Sequence, residues 1–506
     1  MTDTAQNNKR IAKNTFLLYI RMFIMMFISF YTSRVILKVL GVDDFGLYNI
    51  VGGIVVLFSI LNGALSSSTQ RFLNYEIGKG NKEEVTLIFK SSLSLHIILI
   101  LIIILLSETI GLWYVNNLLT VPNGRLDAAN YVYQFSILTF ALNVFRVPFN
   151  ASIIAYEKMN FYAYISIIEA IMKLLIVYLL LISDFDKLIL YGFLIMLVAF
   201  IINVAYIIYC LCKFPSVKFG VEWNKDKIKS ITSFSGWNLF GSVAVVSSQQ
   251  GINLILNYFY GVALNAAAGI AGQVTNAMYG FIANFQVAFN PQIVKLYAQN
   301  NRKDFMKLIF RASKYSFLLF WLIALPVLLI THFVLDLWLD KVPEHAVNFT
   351  RVIIVYLLID ALNGPLWTAV NATGKIKYYQ IIMSTILIAN VPAGYIMLYY
   401  GYAPETVWFS RIFFNLVAMI ARLIYLKRII LFPICKYIKD VLLPLFFMII
   451  ITFIISYISN ISVNNINLNF VLTVLVSIVS VIIISYYVVL TKSEKEKLLF
   501  IIKSKL

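Results

Sequence analysis

The sequence has few charged residues, few cysteines and no nucleotide-binding loop. Charged residues make up 13% of its 506 positions and hydrophobic residues 61%, which excludes an ordinary soluble globular domain. Its three cysteines, Cys210, Cys212 and Cys435, lie near predicted helix ends, so no disulfide framework is expected. No G-x-x-x-x-G-K-[ST] motif and no His/Cys/carboxylate group with metal-ligand spacing occurs. We therefore predict that the chain does not hydrolyse a nucleotide and that it holds no metal or other cofactor.

Catalytic features are also missing. No nucleophile–base pair can be recognised, and the loops between apolar segments are too short to hold a catalytic domain. The sequence therefore predicts a protein that moves a substrate rather than an enzyme.

What the sequence has instead is apolar segments long enough to cross a bilayer of about 30 Å, recurring from end to end. They predict an all-α polytopic membrane protein with about fourteen transmembrane helices. The predicted spans are 15–37, 46–68, 88–114, 128–154, 161–183, 188–211, 231–257, 263–289, 315–338, 348–372, 379–400, 405–427, 440–460 and 469–490.

Charge placement predicts the orientation. Of 41 lysines and arginines, most lie in the tails and the loops on the side of the termini. The opposite loops hold only Lys38, Arg125, Lys187 and Lys341. By the positive-inside rule both termini are expected in the cytoplasm, in a bacterial inner membrane. The basic residues that give the net charge of +18 are then expected to lie along the cytoplasmic membrane surface, next to anionic lipid. No nucleic-acid partner is expected.

The chain carries an internal duplication at a shift of about 220 residues. Gly41-Val42 matches Gly261-Val262, and the block from Lys158 to Tyr162 matches that from Lys375 to Tyr379. Because each repeat holds an even number of spans, the two repeats are expected to be parallel. We predict an N-terminal six-helix lobe (1–213), a cytoplasmic linker (214–230), a second six-helix lobe (231–430) and two extra helices with a tail (431–506).

Basic residues lie inside several predicted spans, where a cation near the bilayer centre costs roughly 2.5–3.5 kcal/mol. An anionic cargo is the simplest explanation. Some of these cations have local explanations. Lys173 follows Glu169 by one helical turn, and Arg34 and Arg351 lie toward the outer interface. The cations that remain as candidate ligands are Arg21, Arg146, Arg411 and Arg422.

Amide side chains share helical faces with these arginines or form polar stripes of their own, and such stripes face protein or a cavity rather than lipid. Packing between helices is the alternative explanation. The candidate cavity amides are Asn143, Asn150, Gln249, Asn253 and Asn415. Asp360 and Glu169 are the candidate residues for coupling to an ion.

The segment from Gly41 through Phe45-Gly46-Leu47-Tyr48, followed by Arg71-Phe72, carries a family resemblance. With the fourteen spans, the 6+6+2 organisation and the cationic interior, it resembles polysaccharide-repeat (O-antigen or capsule type) flippases of the multidrug/oligosaccharidyl-lipid/polysaccharide (MOP) exporter superfamily. The resemblance implies a MATE-like fold and alternating access.

The implied cargo is an undecaprenyl-pyrophosphate-linked oligosaccharide, moved for O-antigen, capsule or exopolysaccharide assembly. The implied partners are the bilayer, H+ or Na+, and a polysaccharide polymerase with other assembly proteins. Two alternatives remain open, a lipid II flippase and a drug/cation antiporter of the same superfamily. The antiporters normally carry an acidic site in span 1, where this chain has Arg21 and Arg34.

Overall fold

A computed structural model describes residues 3–56, 59–117, 119, 121, 124–260, 262–339, 342–461, 466–492 and 494–496. Within these ranges the regular structure is entirely helical, as the sequence predicts. The helices are α1 (Asp3–Val56), α2 (Ser59–Lys79), α3 (Lys82–Leu106), α4 (Leu112–Asn117), α5 (Leu126–Ala155), α6 (Met159–Ile182), α7 (Lys187–Lys213), α8 (Lys225–Tyr260), α9 (Val262–Ala298), α10 (Arg302–Leu329), α11 (Thr331–Trp338), α12 (Ala346–Thr373), α13 (Lys377–Tyr399), α14 (Thr406–Ile430), α15 (Ile434–Tyr437), α16 (Leu443–Ile461) and α17 (Ile466–Ile484).

Eleven helical segments of the described chain are long and apolar enough to cross a membrane, and Asn14–Ile28 is a shorter apolar segment. These eleven correspond to all the predicted spans except 15–37, 46–68 and 263–289. The first and second of those fall on α1 and α2, and the third falls on α9. The chain is thus an all-α multi-pass membrane protein.

Two kinds of break in helical geometry divide the longer segments. Gly41 has φ +79°, a left-handed value that interrupts α1 just beyond the predicted first span of 15–37. Three π-helical turns, Ser107–Gly111, Ile438–Leu442 and Ser485–Val489, each adjoin an α-helix. Each π-turn adds a residue to a helical turn.

The described chain divides into two compact units. Unit 1 is Met1–Ser242 with Val287–Asn300, and unit 2 is Val243–Gln286 with Asn301–Leu506. Two of the boundaries between the units fall within α8 and α9 and the third falls between α9 and α10, whereas the sequence-based division places its linker at 214–230.

In unit 1, α5 packs against α7, and α1 packs against α6. Phe89 and Phe149, both fully buried, meet edge to face with their ring centroids 5.2 Å apart. Aromatic pairs in this arrangement add about 0.5–1.5 kcal/mol to what their burial contributes. This core fixes α3, α5 and α7, the last two of which carry residues of the candidate site.

In unit 2, α13 packs against α14 and α10 against α12, while α16 and α17 pack on each other and on α10. Trp321 of α10 donates to Thr452 of α16 over 3.0 Å. Glu494, beyond α17 and the π-helical turn that follows it, accepts from buried Lys314 at 2.8 Å and lies 3.3 Å from Arg311. The two extra helices are therefore held on α10 by a buried charged contact as well as by apolar packing.

Turns at duplicated positions have the same backbone shape. Gly80 and Asn300 both adopt positive φ (78° and 55°) directly before an asparagine that caps the next helix. The caps are Asn81, which accepts from the Glu84 amide, and Asn301, which accepts from the Asp304 amide. An asparagine side chain at this position satisfies an amide that the helix leaves free. The local geometry supports the duplication predicted from the sequence.

Candidate functional site

Two helices of unit 1 bring charged residues together. Arg146 of α5 lies 3.2 Å from Glu169 of α6, and the Lys173 ammonium lies 2.7 Å from the other oxygen of that carboxylate. The structure thus confirms the Lys173–Glu169 pair and adds a second cation to it. The arginine and the glutamate are each 21% exposed. One carboxylate therefore serves two cations, and the group keeps a net positive charge.

Tyrosine rings complete this group. The Arg21 guanidinium lies over the ring of Tyr162, 4.5 Å from its centroid, and Arg146 lies 5.2 Å from the centroid of Tyr206. Tyr206 is within electrostatic reach of both arginines and of Glu169. A cation over an aromatic face gains about 0.5–2 kcal/mol, more where water is excluded. We call the set the unit 1 cluster. Its members are Arg21, Arg146, Tyr162, Glu169, Lys173 and Tyr206.

Unit 2 holds a second set of similar composition. Arg411 of α14 lies 4.4 Å from the ring centroid of Tyr356 and 5.6 Å from that of Trp408. Arg422, further along α14, donates from Nε to the Tyr379 hydroxyl over 2.7 Å. Both arginines are within electrostatic reach of Asp360 on α12. We call this set the unit 2 cluster. Its members are Tyr356, Asp360, Tyr379, Arg411 and Arg422.

Asp360 differs from Glu169 in its pairing. None of the ion pairs within 4.0 Å in the described part of the chain includes Asp360. Tyr279 of α9 is a further neighbour of its carboxylate. Glu169 is neutralised by direct contacts, whereas Asp360 faces its arginines at longer range.

Tyr162 and Tyr379 occupy equivalent positions, because each ends the matched block that opens the helix after α5 or α12. In unit 1 the cation on this tyrosine comes from α1, and in unit 2 it comes from α14. The sequence-based prediction named the arginines and missed the tyrosines. The signal that could have found them was the duplicated Lys-x-x-aromatic-Tyr block itself.

Some polar atoms of these sets are buried without a hydrogen-bond partner among the described residues. They are Nε of Arg21 and Nη1 of Arg422, and Oδ1 of Asn150, which lies on α5 outside the clusters, is in the same state. A buried donor left unsatisfied costs about 1–3 kcal/mol, and more when it is charged. Each unit therefore carries a guanidinium N–H suited to an acceptor that the described chain does not supply.

The predicted amides have different surroundings. Asn415 is 4% exposed, accepts from Asn363 over 3.1 Å and lies 3.5 Å from the Tyr356 carbonyl, so contacts between α12 and α14 account for it. Asn253 donates to Gln250 on the same helix over 3.0 Å. Gln249 is exposed on α8, and Asn143 and Asn150 are half-buried on α5.

Two other basic residues of the predicted spans, Arg351 and Arg34, are not members of the clusters. Arg351 is exposed on α12 and donates to Thr331 over 3.3 Å. The side chain of Arg34 lies outside the described residues. Within those residues, no group of three or more His, Cys, Asp or Glu side chains could hold a metal ion. The clusters are suited to holding an anion through charge and hydrogen bonds.

Two family models and a membrane protein of known sequence are similar to this chain. A family model described as "Polysaccharide biosynthesis protein" matches residues 11–286, and one described as MatE matches residues 238–396. The membrane protein EpsK of Bacillus subtilis (strain 168), described as uncharacterized, is 22% identical over 363 residues, which are 68% of this chain and 69% of that protein.

Solved structures resemble the chain in fold. An outward-facing multidrug resistance MATE family transporter of the MOP superfamily matches with a TM-score of 0.72 and 14% identity, over 83% of this chain and 95% of that one. A MATE protein in its straight conformation gives a TM-score of 0.70 at 16% identity, over 83% and 95%. A MOP superfamily transporter from Pyrococcus furiosus Vc1 (DSM3638), whose binding pocket is described as having reverse polarity, gives 0.69 at 14%, over 82% and 95%.

Proposed function

The chain belongs to the family of polysaccharide biosynthesis proteins, and from that premise we propose that it is a flippase for undecaprenyl-pyrophosphate-linked oligosaccharide units. Family and fold together identify a multi-pass transporter of the MOP superfamily with a MATE-like fold, not an enzyme. The identity of the cargo is the part that we propose.

One observation carries the proposal. Each unit holds two arginines against tyrosine rings, with more cations than carboxylates, and each has a buried guanidinium N–H without a partner among the described residues. A guanidinium pairs with phosphate oxygens through two parallel hydrogen bonds, and such charge-assisted bonds are about twice as strong as neutral ones. A pyrophosphate supplies the negative charge and the acceptors that suit either cluster.

The amides and aromatic rings suit the sugar portion of such a cargo. Gln249, Asn143, Asn150 and Asn253 are at least partly exposed. Asn415 is assigned to packing, because its amide already bonds to α12. We retain the first four as candidate sugar contacts.

We propose alternating access between the lobes of residues 1–213 and 231–430, joined through 214–230 and followed by the two helices of 431–506. We propose that the protein lies in a bacterial inner membrane with both termini on the cytoplasmic side, in agreement with the positive-inside pattern. Asp360 is the preferred residue for H+ or Na+ coupling, because Glu169 is already engaged by two cations. Polymerase and other assembly proteins are the expected partners.

The test uses a strain in which the gene is deleted and replaced by variants. Arg411→Ala and Arg422→Ala are expected to abolish surface polysaccharide at normal protein level, and to cause accumulation of the lipid-linked repeat. Arg351→Ala is the matched control, since it removes an arginine that lies apart from the clusters. Normal export by both cluster variants would contradict the proposal.

The accumulated lipid separates the alternative cargoes. Undecaprenyl-linked polysaccharide repeats in the deletion strain support the proposal. A cytoplasmic-side pool of lipid II would instead indicate a lipid II flippase. Drug sensitivity with normal glycans would indicate a drug/cation antiporter.

A further inference from the structure

An ionic tie joins the starts of two helices in unit 1. Arg125, the residue before α5, pairs with Asp186, the residue before α7, and also with Asp44 of α1, to which its Nε donates over 2.9 Å. Asp186 additionally accepts from the backbone amides at the start of α7. The tie thus links the first turns of α5 and α7.

Unit 2 has a corresponding tie with a different cation. His345, the residue before α12, has its Nδ1 2.6 Å from the Glu405 carboxylate, and Glu405 is the residue before α14. Asn348, in the first turn of α12, donates to the same carboxylate oxygen over 3.1 Å. Glu405 is 15% exposed and His345 29%.

The two ties occupy duplicated positions. His345 stands 220 residues after Arg125, and Glu405 stands 219 residues after Asp186, which is the spacing of the repeats. The third member is not repeated, because the residue 220 positions after Asp44 is Leu264, a buried apolar side chain. The two repeats therefore share the tie but differ in its cation, which is permanent in the first and titratable in the second.

The described neighbours of the His345 imidazole are two carboxylates and one aromatic ring. Within the described residues, the charged groups that face its imidazole are Glu405 and, at 3.8 Å, the exposed Glu344. The Phe349 ring lies beside it, 6.0 Å away between centroids. Burial raises the pKa of Glu405, but the hydrogen bonds from His345 and Asn348 outweigh it and hold that pKa below its ordinary value. The carboxylate thus stays ionised while an imidazole changes charge between pH 5 and 8.

We propose that His345 and Glu405 form a proton-binding site that ties the starts of α12 and α14 more firmly as the pH falls, while the equivalent tie of unit 1 is independent of pH. Protonation turns a hydrogen bond between a neutral imidazole and a carboxylate into an ion pair in which both partners are charged. The tie is strongest when His345 is charged and Glu405 is still ionised, and it weakens as pH rises past the imidazole range. This proposal stands apart from the identity of the cargo.

Hydrogen–deuterium exchange of the full-length protein in lipid nanodiscs tests the site, with rates corrected for the intrinsic effect of pH. Amides of the first turns of α12 and α14 are expected to be protected roughly fivefold more at pH 5.5 than at pH 7.5. The first turns of α5 and α7 should show no such change. Histidine-selective NMR should show the His345 signal changing over the same range, which is readily assigned because the chain has three histidines.

Matched variants decide the outcome. His345→Gln and His345→Arg should each abolish the pH dependence at α12, whereas His332→Gln should keep it, since His332 is exposed and paired with Asp336 on its own helix. Arg125→His should create a pH dependence at α5, a gain that unfolding does not produce. Equal protection at both pH values in the wild type, or pH dependence that survives His345→Gln, would overturn the proposal.

Discussion

The equivalent tyrosines Tyr162 and Tyr379 hold their arginines in different ways, and this difference gives a sharp prediction. The Tyr379 hydroxyl accepts from Arg422 over 2.7 Å, and its side chain is 1% exposed. Arg21 meets Tyr162 through the ring face, at 4.5 Å. Tyr→Phe keeps the ring and removes the hydroxyl, so it separates the two contributions.

The expected magnitudes follow from those contacts. Tyr379→Phe leaves a buried, charged N–H without its acceptor, which costs about 1.5–3 kcal/mol of unfolding free energy. Tyr162→Phe keeps the cation–ring contact and should cost less than about 0.5 kcal/mol, whereas Tyr162→Ala should lose about 0.5–2 kcal/mol from the cation–ring contact, in addition to the packing of the ring. The order of the two Tyr→Phe variants is the informative result.

Unfolding free energies can be measured for the purified protein in bicelles by steric trapping. The Arg422→Ala background supplies the control, because Tyr379→Phe should then have little further effect. Equal losses for the two Tyr→Phe variants would refute the argument, since they would show that the hydroxyl of Tyr379 makes no specific contribution. A loss at Tyr379 that persists without Arg422 would refute it too.

Three further outcomes are expected. Glu169→Gln removes a carboxylate shared by two cations and should lower the unfolding free energy by about 1–3 kcal/mol, measured in the same way. Gly78→Ala places a Cβ 2.8 Å from the backbone of α9 and should cost about 1–3 kcal/mol, while Gly63→Ala, with nothing within 4 Å, should be neutral or stabilising. Burial raises the pKa of Glu494, but hydrogen bonds, the one from Lys314 foremost, bring it below its ordinary value. The docking of α17 should therefore weaken as pH falls through that lowered pKa, as exchange of α17 amides can show, and Glu494→Gln should weaken it in the same way at neutral pH.

Hydropathy and spacing predicted the framework well. The spans were predictable because a run of about twenty apolar residues matches the length of a helix that crosses a bilayer. The break in α1 at Gly41, just beyond the predicted first span of 15–37, falls on a glycine because glycine adopts positive φ without strain. The Lys173–Glu169 pair was predictable because residues four apart share a helix face.

The site was only partly predictable from the sequence. Periodicity identifies which face of a helix is polar but not which neighbouring helix supplies a partner. The Arg146–Glu169 ion pair and the hydrogen bond from Asn363 to Asn415 could therefore be found only in the structure. The tyrosines were missed for another reason. In a membrane span an aromatic residue is counted as apolar, although its ring face attracts a cation.

The π-helical turn at Ser107–Gly111 changes how side chains are distributed around the third predicted span. A regular α-helix advances by about 100° per residue, and one extra residue in a turn rotates everything after it by that amount. A helical wheel drawn without a break from Lys82 to Asn117 therefore assigns the residues of α4 to the wrong side. Cysteine-scanning labelling along this span would show a periodic pattern that shifts phase after Gly111, and the same phase shift would separate α15 from α16.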